Sequence, residues 1–276
     1  MPGENVDEQE AQPPKTPQSL VIEEHVKIAL AAQCGPDAIL KGWNVHDFAN
    51  KGDNYACIVS SVIVTYLKNQ QKHWTSFIVK LNPCRLFKSL DDMTNLMFEK
   101  EGHFYTKIIP ELNKCLKNVG QTNLKVPKCY YIHLEVDNEV IYLEDLRDEG
   151  FKMADRKKGL DIPHLLLVLN ELGRLHASSI FFKGSKSKET LLEEHPCLRE
   201  MFASEKMVSS PEMQQFCKCI MDGAADMLKV VDGYEEVAER IKKLDFFDNL
   251  LKELESESPF EVICHGDCWT NNFLFK

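Results

Sequence analysis

C-H-G-D-C-W-T-N-N-F-L-F-K, Cys264 to Lys276, is the stretch on which the reading of this chain turns. His265, Asp267 and Asn272 stand in the spacing H-x-D-x-x-x-x-N. Chemistry accounts for such a spacing. One carboxylate accepts or orients the proton of an attacking hydroxyl. An asparagine five residues later turns back to ligate a magnesium ion through its side-chain oxygen, and the histidine anchors the loop. A His-Gly-Asp run is also an ordinary turn, so its weight depends on what precedes it. Cys264, His265, Asp267 and Cys268 could instead hold zinc, with Cys217 and Cys219 adding two thiolates. One C-x3-C pair fits zinc loosely, but Cys217 and Cys219 fall in a predicted helix with poor spacing, so the zinc reading is the weaker.

Two charged residues upstream stand in apolar settings. Lys80 closes the run Phe77-Ile78-Val79-Lys80-Leu81. Strand faces alternate, so Lys80 shares a face with Ile78, while Phe77, Val79 and Leu81 share the other. By itself this reads as an edge-strand lysine on a solvated face. Glu101 has Met97, Phe98, Phe104 and Tyr105 at its helical neighbours. A carboxylate on an apolar face is costly to bury unless paired. Either it reaches past its neighbours to water, or it pairs with Lys80 and holds the lysine toward a phosphate. A strand lysine paired to a glutamate on the next helix is the arrangement kinase folds use. In chain order ahead of the loop, the two make a chance turn at His265 a poorer explanation.

Composition narrows the alternatives. The formal net charge is −10, which argues against a nucleic-acid surface and against anionic membranes. No run of about 18 apolar residues occurs, so no transmembrane helix is expected. The N-terminus lacks the apolar core of a signal peptide. Ten cysteines without a secretory signal read as reduced thiols in a cytoplasmic protein.

Periodicity gives an α+β layout. Residues 1–19 read as a disordered tail. A helix is predicted over 19–33, ended by Gly35-Pro36. Strands are predicted at 45–49, 55–67 and 74–81, joined by turns at 51–54 and 69–72, as an antiparallel meander. A helix capped by Ser89 follows, stopping before Pro110. A hairpin over 129–136 and 140–143 turns at Asp137-Asn138. After Leu146 the pattern is helical. Pro163 opens a helix whose segment 165–175 is apolar almost all round and is expected at the centre of a domain. Ser210-Pro211 opens a second, and a third runs from 234 to about 255. A short strand at 262–264 leads into the loop. The predicted division is a tail (1–19), an N-terminal nucleotide-binding lobe (20–146) and a partial helical C-terminal lobe with the catalytic loop (147–276).

With these residues in hand, the chain resembles the ecdysteroid-kinase-like family, also called CHK or choline-kinase-like, common in insects. The resemblance rests on Gly52-Asp53-Asn54-Tyr55-Ala56, Phe77 to Lys80, and Phe98 to Leu112 with Glu101. It continues through Tyr142-Leu143-Glu144-Asp145-Leu146, Leu175-His176-Ala177 and the stretch from Cys264 through Asn272. It covers nearly everything after residue 35. It implies a two-lobed protein-kinase-like fold of the aminoglycoside phosphotransferase and choline kinase type. ATP and Mg2+ would be the cofactors, and the acceptor the hydroxyl of a small lipophilic alcohol such as an ecdysteroid.

The resemblance also implies roles. Gly52, Asp53, Asn54, Tyr55 and Ala56 would cover the ATP phosphates, although they are not a full G-x-G-x-x-G loop. Lys80, paired to Glu101, would meet the α- and β-phosphates. Glu144, Asp145 and Leu146 would form the hinge whose backbone meets adenine. Asp267 would be the catalytic base and Asn272 a magnesium ligand. Gly266 replaces the arginine that docks a phosphorylated activation loop in protein kinases, which points toward a small-molecule kinase. His176 reads as a packed core residue.

The family pattern has a second magnesium aspartate after the loop, which would lie beyond Lys276. Asp245-Phe246-Phe247 precedes the loop in a predicted helix and does not replace it. The C-terminal lobe is therefore expected to be incomplete. The alternative function is a truncated, non-catalytic, nucleotide-binding product. Phe273 to Phe275 is expected to lack its hairpin partner and so to offer an edge for self-association.

Overall fold

The computed structural model describes residues 15–47, 57–85, 91–255, 258 and 260–276. The segment Gly52 to Ala56 expected to cover the phosphates, the turn expected at 51–54 and the cap expected at Ser89 lie outside the described residues. The chain forms two compact units. One comprises residues up to 86 with Lys128–Asp145, the other Phe87–Pro127 with Leu146–Lys276. Residues 87–127, read from sequence as part of a continuous 20–146 lobe, thus cluster with the second unit.

The first unit is a helix on a five-stranded sheet. Helix α1 (Glu23–Cys34) is followed by β1 (Ile39–Asp47), β2 (Ile58–Lys68) and β3 (Gln71–Leu81), with β4 (Cys129–His133) and β5 (Val140–Glu144) completing it. The strand order is β1-β2-β3-β5-β4, with every pair antiparallel. The meander and the hairpin of the sequence reading are both present. β1 begins earlier than predicted because a bulge between Leu40 and Gly42 carries the pairing across the Lys41-Gly42 break. The β2–β3 turn has only two residues, Asn69 and Gln70, both at positive φ, as a right-twisted hairpin prefers. One sheet face and α1 share a core of Val26, Ala29, Leu30, Val62, Val64, Phe77, Val79, Leu81, Val140 and Tyr142. Residues 15–19, expected with the tail, are tied down. A 3-10 turn spans Pro17–Leu20, and the Lys15 ammonium donates to the Asp137 carbonyl at 2.6 Å.

His25 on α1 gives this core a pH dependence. Its ring is buried against Tyr131 and His133, with centroids 5.1 and 4.7 Å away. Its Nδ1 is buried without a hydrogen-bond partner among the described residues. Burial lowers its pKa below 6.5, and the neighbouring His133 lowers it further. A histidine depressed in the folded state binds its proton more readily when unfolded, so stability rises with pH between the two pKa values. Unfolding by urea should therefore show the sheet unit losing stability as pH falls through 6.5, and His25→Phe should flatten that slope.

The second unit is mainly helical. It contains α2 (Asp91–His103), a π-helical turn at Phe104–Ile108, and α3 (Ile109–Asn118). Pro110 was expected to stop this helix. Instead the wider turn precedes it and Pro110 sits in the first turn of α3, where a missing N–H costs little. A two-residue strand β6 (Lys152–Met153) and α4 (Ile162–Lys183) follow. Asp161 caps α4 by accepting the His164 N–H at 2.9 Å. Ile108, Ile109, Leu112, Leu116, Leu124 and Leu175 form one core, with Leu172 and Ile263 against it. Arg174 ties α4 to the segment after α3, donating to the Thr122 carbonyl at 2.5 Å and to Glu171 at 2.7 Å.

The expectation that the apolar α4 is buried all round is corrected. Leu166 and Leu167 are each 60% exposed, whereas Leu172, Leu175 and Phe182 of the same helix pack in the core of this unit. By length and composition α4 could also cross a membrane, although its Arg174 bonds hold it against polar backbone. Beyond it lie α5 (Lys188–Glu194), α6 (Glu205–Val208), α7 (Pro211–Leu228), α8 (Glu235–Lys242) and α9 (Phe246–Glu255). The predicted third helix is thus two, because Asp245 accepts the Asp248 N–H at 2.8 Å and starts a new helix. Phe246 and Phe247 pack with Met207, Met213 and Cys217, so Asp245-Phe246-Phe247 is a helix start in a core.

Candidate active site

The loop at His265 to Asn272 is held on both sides within the second unit. Before it, residues 262–264, predicted as a strand, form none among the described residues. Ile263 packs in the α3–α4 core, and its N–H donates to Ser179 Oγ at 3.0 Å. Lys183 at the end of α4 pairs with Glu261. After the loop, β7 (Leu274–Phe275) pairs antiparallel with β6, Met153 opposite Leu274 and Lys152 opposite Phe275. The expected partnerless strand is therefore paired along one edge, by a segment that composition had not marked as a strand. The His164 ring meets the Phe275 ring edge-on at 4.5 Å.

Between these anchors three of the predicted residues meet. The Asp267 N–H donates to His265 Nδ1 at 3.2 Å. Trp269 N–H returns to the Asp267 carbonyl at 3.1 Å, and a 3-10 turn over Thr270–Asn272 follows. That turn brings Asn272 back, and its Nδ2 donates to Asp267 Oδ2 at 2.7 Å and to the Asp267 carbonyl at 2.8 Å. The asparagine thus orients the carboxylate, and its Oδ1 is left as the amide's acceptor atom. Asp267 is exposed, open to an incoming hydroxyl. The Cys268 residue is exposed overall, but partial desolvation of its thiol and then the neighbouring Asp267 carboxylate push its pKa up.

Gly266 lies at φ +82, and a Cβ there would meet nothing within 4 Å. Gly266→Ala should therefore cost only backbone strain, about 1–2 kcal/mol, read as a lower urea midpoint of the second unit without a change of fold.

The sheet unit carries Lys80, Glu144 and Asp145. β3 is the middle strand of the sheet, so the edge-strand reading of Lys80 is corrected. Lys80 stands between Val59 of β2 and Ile141 of β5. The alternation is as predicted: Phe77, Val79 and Leu81 are fully buried, while Ile78 and Lys80 are half-buried on the other face. The β3–β5 ladder ends at the pair Phe77 and Glu144. The Glu144 carboxylate accepts from the Lys128 ammonium at 3.1 Å, and its N–H donates to the Lys128 carbonyl at 2.8 Å. Asp145 is the last residue of the first unit, and Leu146 opens the second with a 3-10 turn, Leu146–Glu149. Glu101 is half-buried on α2 of the second unit, with Phe98 one turn earlier fully packed. Next to it, Lys100 donates to the carbonyls of Cys197 and Arg199 at 2.6 Å each.

Comparison with known proteins adds one match. The model of the ecdysteroid kinase-like family fits residues 51–276. The chain belongs to that family. Neither the curated proteins nor the solved structures compared with the chain gave a match. As a member of a kinase-like family, this chain is related to small-molecule phosphotransferases, and the family generally uses ATP and Mg2+. The loop residues suit magnesium chemically. Asp267 and Asn272 offer hard oxygen donors, of the kind Mg2+ takes.

Two polar side chains escaped the sequence reading. Ser179 fixes the approach to the loop through Ile263; its signal is a Ser178-Ser179 pair inside an otherwise apolar helix. Ser76 donates to Asp145 Oδ2 at 2.7 Å; its signal is a serine on the Lys80 face of β3, four residues before the lysine.

Proposed function

We propose that this chain is an ATP-dependent small-molecule kinase that phosphorylates a hydroxyl of a small lipophilic alcohol, an ecdysteroid being the first candidate. The observation that carries the reading is the Asn272–Asp267 bond at 2.7 Å, which aims an exposed carboxylate in a loop of the family that matches this chain. Asp267 takes the proton of the acceptor hydroxyl as the phosphoryl group is transferred. His265 holds the Asp267 backbone. Asn272 would hold magnesium through Oδ1; that ion, when bound, neutralises charge on the phosphate oxygens. Lys80 contacts the α- and β-phosphates. Gly52 to Ala56 cover the phosphates, and the backbone of Glu144 to Leu146 meets adenine. The ten cysteines form no disulfide, in keeping with the reducing, cytoplasmic setting proposed.

The test is label transfer. Purified chain with Mg2+ and γ-labelled ATP, offered ecdysteroids and other lipophilic alcohols, should move label to a hydroxyl. ATP binding without transfer to any acceptor would favour the non-catalytic, nucleotide-binding reading. No binding and no transfer would overturn the proposal.

A further inference from the structure

Asp145 is a carboxylate only 5% exposed, and Ser76 is only 6% exposed. Burying a carboxylate is costly unless it is hydrogen-bonded. Here the Ser76 hydroxyl donates to Asp145 Oδ2 at 2.7 Å, a short bond of the charge-assisted kind. Its place in the fold is specific. The backbone ladder between β3 and β5 stops at Phe77 opposite Glu144. The Ser76–Asp145 bond lies one residue beyond, and prolongs that pairing with side chains where the chain leaves the sheet. Ser76 shares a strand face with Ile78 and Lys80, so one side of one strand carries both the lysine and the hydroxyl that grips the hinge residue. On the neighbouring residue, the Glu144 N–H and carboxylate are held by Lys128. The departing backbone is thus fixed from two sides within the first unit.

We propose that Ser76 is a positioning residue for nucleotide selection. Through the Asp145 carboxylate it fixes the peptide groups of residues 144–146 in the orientation that recognises the edge of an adenine base. The inference rests on the kinase reading above, in which those peptide groups meet the base. Ser76 itself touches no substrate. Its effect is confined to the base end of the nucleotide and leaves the phosphate end, at Lys80, unchanged.

The experiment compares binding of ATP, GTP and inorganic tripolyphosphate, each with Mg2+, by titration calorimetry on the full chain. The variants are Ser76→Ala and Ser76→Thr. A hydrogen bond to a charged group is commonly worth a factor of ten or more, so Ser76→Ala should weaken ATP about tenfold. It should also narrow the preference for ATP over GTP and leave tripolyphosphate affinity as it was. Ser76→Thr, which keeps the hydroxyl, should restore both. Loss of this buried bond should lower the melting temperature in either case; a purely structural role would weaken all three ligands alike, and that result overturns the proposal. Should Ser76→Ala fail to fold, the near-isosteric Ser76→Cys carries the same comparison. If the unsubstituted chain binds ATP and Ser76→Ala binds it equally well, only this inference fails. If the unsubstituted chain binds no nucleotide, the kinase reading fails, and this inference with it.

Discussion

Asp267→Asn should lower phosphotransfer by about 10³-fold, within the range that a positioned general base contributes. The substitution is chosen because it leaves the geometry in place. Asn272 Nδ2 donates to an oxygen of residue 267, and an amide still presents one. The remaining anchors are backbone groups: the Asp267 N–H on His265 Nδ1 and the Asp267 carbonyl that receives Trp269 and Asn272. Only the charge to which the proposed function gives the hydroxyl proton disappears. ATP affinity should persist, because Lys80 and the hinge are unaltered, so kcat falls and nucleotide binding does not. The check is turnover with the best acceptor alongside calorimetric ATP binding. Magnesium-dependent transfer that survives the substitution would remove Asp267 from the catalytic role. Equal loss of binding and turnover would mean that the loop, and not the charge, had been disturbed.

The candidate loop from His265 to Asn272 was legible in sequence because chemistry fixes residue types at fixed short spacings. His265, Asp267 and Asn272 are close in the chain, and a single 3-10 turn brings them together. Local periodicity was equally informative for β3, where alternation put Phe77, Val79 and Leu81 on one face and Ile78 with Lys80 on the other before any fold was known. What escaped depended on distant partners. That Lys80 lies on the middle strand follows from the pairing of β3 with β5, and nothing within Phe77 to Leu81 announces it. The strand at Leu274–Phe275 found its partner in Lys152–Met153, a pair too short to have a pattern. The apolar run on α4 was read as all-round burial, yet periodicity cannot tell a helix wrapped on every side from one packed along a single stripe. Pro110 misled for another reason. Proline is compatible with a first helical turn, and the π-helical turn before it supplied a new one.

The second large effect concerns the scaffold on which Lys80 stands. Phe77 is fully buried at the centre of the sheet core. Its ring is edge-on to Tyr130 and Tyr142, with centroids 5.7 and 5.8 Å away. Phe77→Ala removes that ring from a core closed by α1 and should cost about 3–5 kcal/mol, the usual range for a buried phenylalanine. Ile78→Ala, one residue on and half-buried on the opposite face, should cost well under that. The contrast in urea unfolding tests the face assignment directly, because the two residues share a strand and differ in the direction of their side chains. A second consequence follows from register. Phe77 is the residue opposite Glu144 where the ladder ends, so a collapse of this core also loosens the backbone leading into Asp145. Phe77→Ala should therefore weaken ATP binding even under conditions where the sheet unit remains folded. If it destabilises the unit yet binds ATP as tightly as before, the hinge is held without the core, by contacts such as Ser76–Asp145 and Lys128–Glu144.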